Sequence, residues 1–217
     1  MKLFAWLRSL KRPKAKPSSA PKKRRGRRLP KRLSREEVSS LLEQPPISTW
    51  RGLRDRAMLA VLYRAGLRVS EVVKIRPHDL DMETGAVHVW EGKGGVDRVS
   101  YLDPDHVRPV LDPWLRERER MGAGPLDPIF CRGDLKGLTT RTVQLMVRRH
   151  KDAAGIPSSC TPHVLRHTFA SELIEEGFST SEVQVLLGHA SVATTEVYVH
   201  VAESRLGEKV RGRGSGV

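Results

Sequence analysis

Between Ser34 and residue 210 the chain reads as a succession of short helices, and one stretch alone breaks that rhythm. Apolar residues recur at helical spacing, and each run is bounded by a Ser or Thr start or a Gly or Pro stop. Ser34-Arg35-Glu36-Glu37 has the form of a capping box, and Gln44-Pro45-Pro46 closes the helix that follows at about residue 43. A helix is predicted over 51–65, with Leu53, Met58, Leu59, Val61 and Leu62 on its apolar face and Gly66 as its stop. A short helix over 70–75 comes next. Further helices are predicted over 105–120, 140–154, 162–176, 181–187, 192–199 and 202–210. The first of these should be interrupted near Pro109 and Pro113, and Gly177 and Gly188 terminate two others. The exception is 86–102, where 86–90 and 97–102 read as two strands around Gly92-Lys93-Gly94-Gly95, a hairpin with a glycine-rich tip. The expected fold class is mainly α with one small antiparallel β-sheet, an α+β arrangement.

Charge divides the chain in a second way. The net charge is +14. Residues 1–33 hold 14 of the 39 Lys and Arg and no acid, so the remaining 25 basic residues are matched by all 25 acidic ones. The excess therefore belongs to an N-terminal arm in which Lys22, Lys23, Arg24, Arg25, Arg27 and Arg28 are concentrated. Pro, Ser, Lys and Arg dominate its 11–32 stretch, which has little to bury. We divide the chain into a disordered basic arm (1–33), a folded domain (34–210) and a short tail (211–217). A basic arm attracts polyanions, nucleic acid being the commonest; a solvated tail without a partner is the plainer alternative.

Other classes are disfavoured. No apolar run approaches the roughly 18–20 residues that cross a bilayer, and the apolar start is cut by Arg8 and ends at Leu10, too short for a secretion signal. Cys131 and Cys160 have no CxxC neighbour and no His at metal-ligand spacing, so free thiols, a cytoplasmic setting and no bound metal are expected.

Four separated segments carry chemistry. In Ala65-Gly66-Leu67-Arg68-Val69-Ser70-Glu71, Arg68 follows a helix-ending glycine, where a long cation can project into a cleft, and Glu71 lies one turn on and can buttress it. Lys93 rides on the hairpin tip. In His163-Val164-Leu165-Arg166-His167, His163 and Arg166 are three apart and share a helical face, an imidazole beside a phosphate-binding fork; His167 reads as structural. Leu187-Gly188-His189-Ala190 precedes Tyr198. Taken singly, an ordinary surface ion pair, a solvated turn lysine and chance on a basic helix explain the first three.

Their order and wording together resemble the catalytic domains of the tyrosine recombinase (phage integrase) family, Xer-type members above all, over residues 34–208. The resemblance implies the fold of those domains and a metal- and nucleotide-independent enzyme. In it Arg68 and Arg166 clamp a DNA phosphate, His189 adds a hydrogen bond, and Tyr198 attacks to form a 3′-phosphotyrosyl bond. Lys93 protonates the departing 5′ oxygen and His163 accepts the phenolic proton. The absence of a GxxxxGK[ST] loop agrees with that. It also implies double-stranded DNA as partner and a tetramer on DNA in which a C-terminal segment, here 202–210, is exchanged between protomers; folding back on its own domain is the alternative.

The sequence departs from the family pattern at its beginning, where a basic stretch of about 33 residues, 14 of them Lys or Arg, stands in place of a separate core-binding domain. Intact chemistry with weak site choice is the expectation. Two other readings remain: a relaxing type IB topoisomerase, and a non-catalytic DNA-binding regulator on a recombinase fold.

Overall fold

The computed structural model describes residues 32–90, 97–157, 159–188 and 210. Helix α1 (Arg35–Glu43) starts at the Ser34 capping box: the Glu37 amide donates to Ser34 Oγ at 3.2 Å, and the Ser34 amide donates to Glu37 Oε2 at 2.9 Å. Leu33, just before it, is already buried in the core and donates its amide to Thr168 Oγ1 at 3.1 Å. The packed body thus reaches back at least to Leu33.

Helix α2 (Trp50–Arg64) is the axis of the molecule. Every residue from Ala57 to Tyr63 is buried, so this stretch of nearly two turns is enclosed on all sides, and its residues are apolar but for the Tyr63 hydroxyl. The helix packs against α4 (Pro104–Arg120), α6 (Pro162–Glu175), α1 and α3 (Val69–Val72). Gly66 turns the chain out of α2 with φ +57, and a Cβ there would lie 2.5 Å from the Phe169 ring and 2.9 Å from Leu187. The left-handed backbone and the contact both demand glycine.

Helix α3 is shorter than the 70–75 predicted, ending at Val72, with a 3-10 turn at Pro77–Asp79 beyond it. Pro77 holds Arg76 in an extended conformation (φ −113, ψ 162), which precludes continuing the helix. Strands β1 (Ala86–Val89) and β2 (Arg98–Tyr101) pair antiparallel, with Ala86 opposite Tyr101 and Val89 opposite Arg98. The connecting residues 91–96, including Lys93, lie outside the described residues.

The expected break in α4 is wrong. The helix runs unbroken from Pro104 to Arg120 through both prolines. Its buried stripe is Val107, Leu111, Trp114 and Arg118, whereas Pro109 is exposed and Pro113 half-buried. The carbonyls those prolines cannot serve are thus on the watery side, where solvent can satisfy them.

Helices α5 (Thr140–Ala153), α6 and α7 (Thr180–Leu187) complete the described elements, each within a residue or so of its prediction. A second, smaller apolar cluster of Phe169, Leu173, Phe178, Val183, Leu186, Leu187 and Val210 joins α6 to α7. The predicted helix over 192–199 lies outside the described residues, as does 202–210 apart from Val210, which is buried in that cluster of its own chain. Cys131 and Cys160 are free and buried, and burial pushes the Cys160 thiol up to about 11. No helix among the described residues is long and apolar enough to cross a membrane.

Candidate active site

The C-terminal end of α7 gathers three arginines from three different elements. Gly188 caps α7 in the left-handed conformation (φ +62), leaving the last carbonyls without helical partners. Arg98 Nε, from β2, donates to the Leu186 carbonyl at 3.2 Å, and Arg68 Nη2, from the start of α3, to that of Gly188 at 3.0 Å. Arg166 Nη2, from α6, donates to the Leu187 carbonyl. The negative end of the helix dipole favours this.

Glu71 ties two of them together. Arg68 donates to it twice, backbone amide to Oε2 at 2.7 Å and Nη1 to Oε1 at 2.8 Å. Arg98 adds a fork, Nη1 to Oε1 and Nη2 to Oε2, both at 2.8 Å. Burial alone would raise the Glu71 carboxyl, but the hydrogen bonds from Arg98 and Arg68 outweigh it and hold the group at about 2. Among the described residues Arg166 has no carboxylate in its hydrogen bonds: its Nη1 donates to the Gly66 carbonyl at 2.6 Å. Burial, reinforced by the fields of Arg68 and Arg98, lowers it to about 10, so it remains a cation at neutral pH. Among the described residues, three guanidiniums thus gather about one carboxylate, an excess of positive charge.

His163, exposed on α6 one turn before Arg166, meets the His167 ring edge-to-face at 4.5 Å between centroids. Both line a groove of about 480 Å³ between α6 and α7 that Arg166 also reaches. Burial first, then the proximity of His163 and Arg166, lowers the His167 pKa. Arg68 itself lines a second groove, of about 890 Å³, together with Lys74, Arg76, His78 and His88. Trp90 stands at its rim, 56% exposed, stacked on His88 and donating Nε1 to Asp79 at 2.6 Å. Along the lining of this groove Arg68, Lys74 and Arg76 outnumber Glu71 and Asp79, a small excess of positive charge.

Of the residues singled out from sequence, the structure brings Arg68, Glu71 and Arg166 to one point and sets His163 on the adjacent groove. Lys93, His189, Tyr198 and the arm residues 22–28 lie outside the described residues; His189 directly follows Gly188 in the chain. Sequence reasoning missed Arg98, reading it as an ordinary strand residue. A signal existed: alternation puts it on the face of Ser100 and Leu102, both fully buried, and a charge in an inward register calls for a partner.

Comparison with known proteins bears on what this cluster serves. The family model described as "Phage integrase family" matches residues 31–205. Tyrosine recombinase XerD of Ralstonia nicotianae is 38% identical over 187 residues, covering 82% of this chain and 58% of that protein. The chain spans about three fifths of the length of the curated relatives it matches. Among solved structures, XerA recombinase has TM-score 0.68 at 33% identity, covering 86% of this chain and 67% of that one. XerH site-specific recombinase, bound to a palindromic difH substrate after cleavage, has TM-score 0.67 at 30% identity, covering 86% and 54% respectively. A match of such extent in sequence, and an arginine cluster on a fold shared with these recombinases, make this chain a member of the phage integrase family, the tyrosine recombinases.

Proposed function

We propose that this chain is the catalytic part of a site-specific recombinase that cuts and rejoins double-stranded DNA through a 3′-phosphotyrosyl intermediate. The observation that carries the reading is Arg166: a buried cation whose hydrogen bonds, among the described residues, end on neutral carbonyls, beside Arg68 and Arg98, with one described carboxylate among the three. Such a site gains most from an anion with several acceptor oxygens, which a phosphodiester supplies.

In the proposed reaction Arg68 and Arg166 hold the non-bridging oxygens of the scissile phosphate and His189 donates a further hydrogen bond. The Tyr198 oxygen attacks phosphorus, its proton passing to His163; a phenol with a pKa near ~10 needs such an acceptor at neutral pH. The bond from phosphorus to the 5′ oxygen breaks, and Lys93 protonates the departing oxygen. Religation reverses these transfers, with the phosphotyrosyl bond keeping the energy of the broken one, so no nucleotide cofactor is required. Residues 34–210 act as the catalytic domain, and the basic arm adds phosphate contacts. Self-association into a tetramer on DNA through 202–210, and a cytoplasmic, DNA-associated location, complete the reading. Val210, buried in its own chain's cluster, marks the arrangement that an exchange between protomers has to replace.

The test is incubation with a library of nicked duplexes from which the short fragment bearing the freed 5′-hydroxyl diffuses away, followed by sequencing of the trapped strands. Wild type is expected to form a protease-sensitive covalent adduct at preferred sequences. Tyr198→Phe should form none while binding DNA within about twofold, since it loses one hydroxyl outside the phosphate clamp. An adduct from the Phe variant would mean another nucleophile. No adduct from wild type favours the regulator, and relaxation of a supercoiled plasmid without strand exchange favours the topoisomerase.

A further inference from the structure

We propose that Arg98 is a positioning residue for the phosphate clamp: it aims Arg68 and fixes the end of α7 without touching DNA itself. This rests on the recombinase reading and deepens it by adding a residue the family resemblance had not supplied.

Arg98 differs from its neighbours in how its donors are used. Nη1 and Nη2 each give one N–H to Glu71, and Nε gives its single N–H to the Leu186 carbonyl. Its side chain is only 8% exposed, against 25% for Arg68, so Arg68 is open to a ligand and Arg98 is not. The Glu71 carboxylate it grips is the same one that receives Arg68 Nη1 and the Arg68 amide. Removing Arg98 takes one donor from each Glu71 oxygen and leaves the carboxylate free to swing, and the guanidinium of Arg68 with it.

Its aliphatic stem does a second job. A Cβ on Gly188 would lie 2.5 Å from Arg98 Cδ and 2.8 Å from its Nε. The stem therefore lies directly on the turn that ends α7, the turn whose carbonyl receives Arg68 and after which the chain enters His189. One side chain on β2 thus braces α3 and α7 together. A fork matters here because two oxygens must be held at once; a lysine offers a point charge and cannot span them.

The experiment is a double-mutant cycle on single-turnover adduct formation, using the full chain and a nicked duplex that wild type cleaves, with rates corrected for the folded fraction by circular dichroism. Arg98→Ala should slow adduct formation about 100-fold from wild type, the order expected when a reacting group is misplaced by about an ångström. Binding to the same duplex should change by less than about threefold, because the exposed contacts remain. In an Arg68→Lys background, where there is no guanidinium left to aim, Arg98→Ala should cost less than about threefold more. Arg98→Lys should recover part of the loss. Gly188→Ala, which displaces the same stem from the other side, should reproduce it.

Equal losses in the wild-type and Arg68→Lys backgrounds would overturn the proposal, since a residue that only supports folding adds its effect independently of Arg68. So would an Arg98→Ala rate equal to wild type. If Arg98→Ala does not fold, Arg98→Lys and Gly188→Ala carry the same comparison. Wild type without any adduct sinks the recombinase reading and this inference together; an adduct from wild type with additive losses sinks this inference alone.

Discussion

Glu71 sets the electrostatic character of the site more than any single cation does. Its carboxyl, opposed by burial but held down by Arg98 and Arg68, sits at about 2 in the folded chain, against an ordinary value of 4.5. A carboxyl depressed on folding contributes stability that is full above the unfolded value, near pH 4.5, and drains away as pH falls toward 2. The shift corresponds to about 3 kcal/mol at most. We expect Glu71→Gln to lower the urea midpoint at pH 6 while reducing the further loss between pH 4.5 and pH 2.5. A Gln variant as acid-sensitive over that window as wild type would show that other carboxylates govern it. At this scale Arg68, Glu71 and Arg166 were legible in sequence because each lies in a short motif whose wording signals chemistry. Arg98 was not: its partners Glu71 and Leu186 come from 27 residues before it and 88 after it in the chain, a proximity that only folding creates.

Among the elements, helices were legible wherever a side chain closes their ends. Ser34, Thr139, Thr161 and Ser179 each accept an amide from the first turn of their helix, and the predicted starts fell within about a residue of the real ones. The error lay in α4, where local rules gave two interior prolines more weight than the apolar stripe beneath them. Val107, Leu111 and Trp114 are completely buried, and Trp114 donates Nε1 to the Ile129 carbonyl at 2.9 Å. Burying them against α2 outweighs the hydrogen bonds the prolines forgo, each such proline costing about 3 kcal/mol in a helix interior. Pro109→Ala, on the exposed side, should therefore raise stability by about 2 kcal/mol, the proline's entropic benefit in the unfolded chain offsetting the rest. A thermal melt checks this. An unchanged or lowered midpoint would mean that the Pro109 ring itself contributes packing.

Over the whole molecule, charge divides between residues 34–217, which are formally neutral, and residues 1–33, which hold the whole excess of +14. The body concentrates what positive charge it needs where β2, α3, α6 and α7 meet, at the seam between the main core and the smaller cluster. Removing residues 1–31 should weaken DNA binding and flatten its dependence on salt, because each phosphate contact releases a counterion and adds close to one unit to the slope of log K against log salt. Titration of full and shortened chains between 50 and 200 mM salt, roughly the range over which such contacts are lost, measures this. Superimposable slopes would show that the arm leaves phosphates alone. Helical architecture, the one hairpin and the family were all decided by the residues in order, since caps, glycine stops, periodicity and motif wording are local properties. Which cations converge, that Arg166 is buried against carbonyls instead of a carboxylate, and that Arg98 braces the end of α7 were decided by tertiary packing alone. Those contacts join residues separated by up to 120 positions, and no local preference encodes such distances.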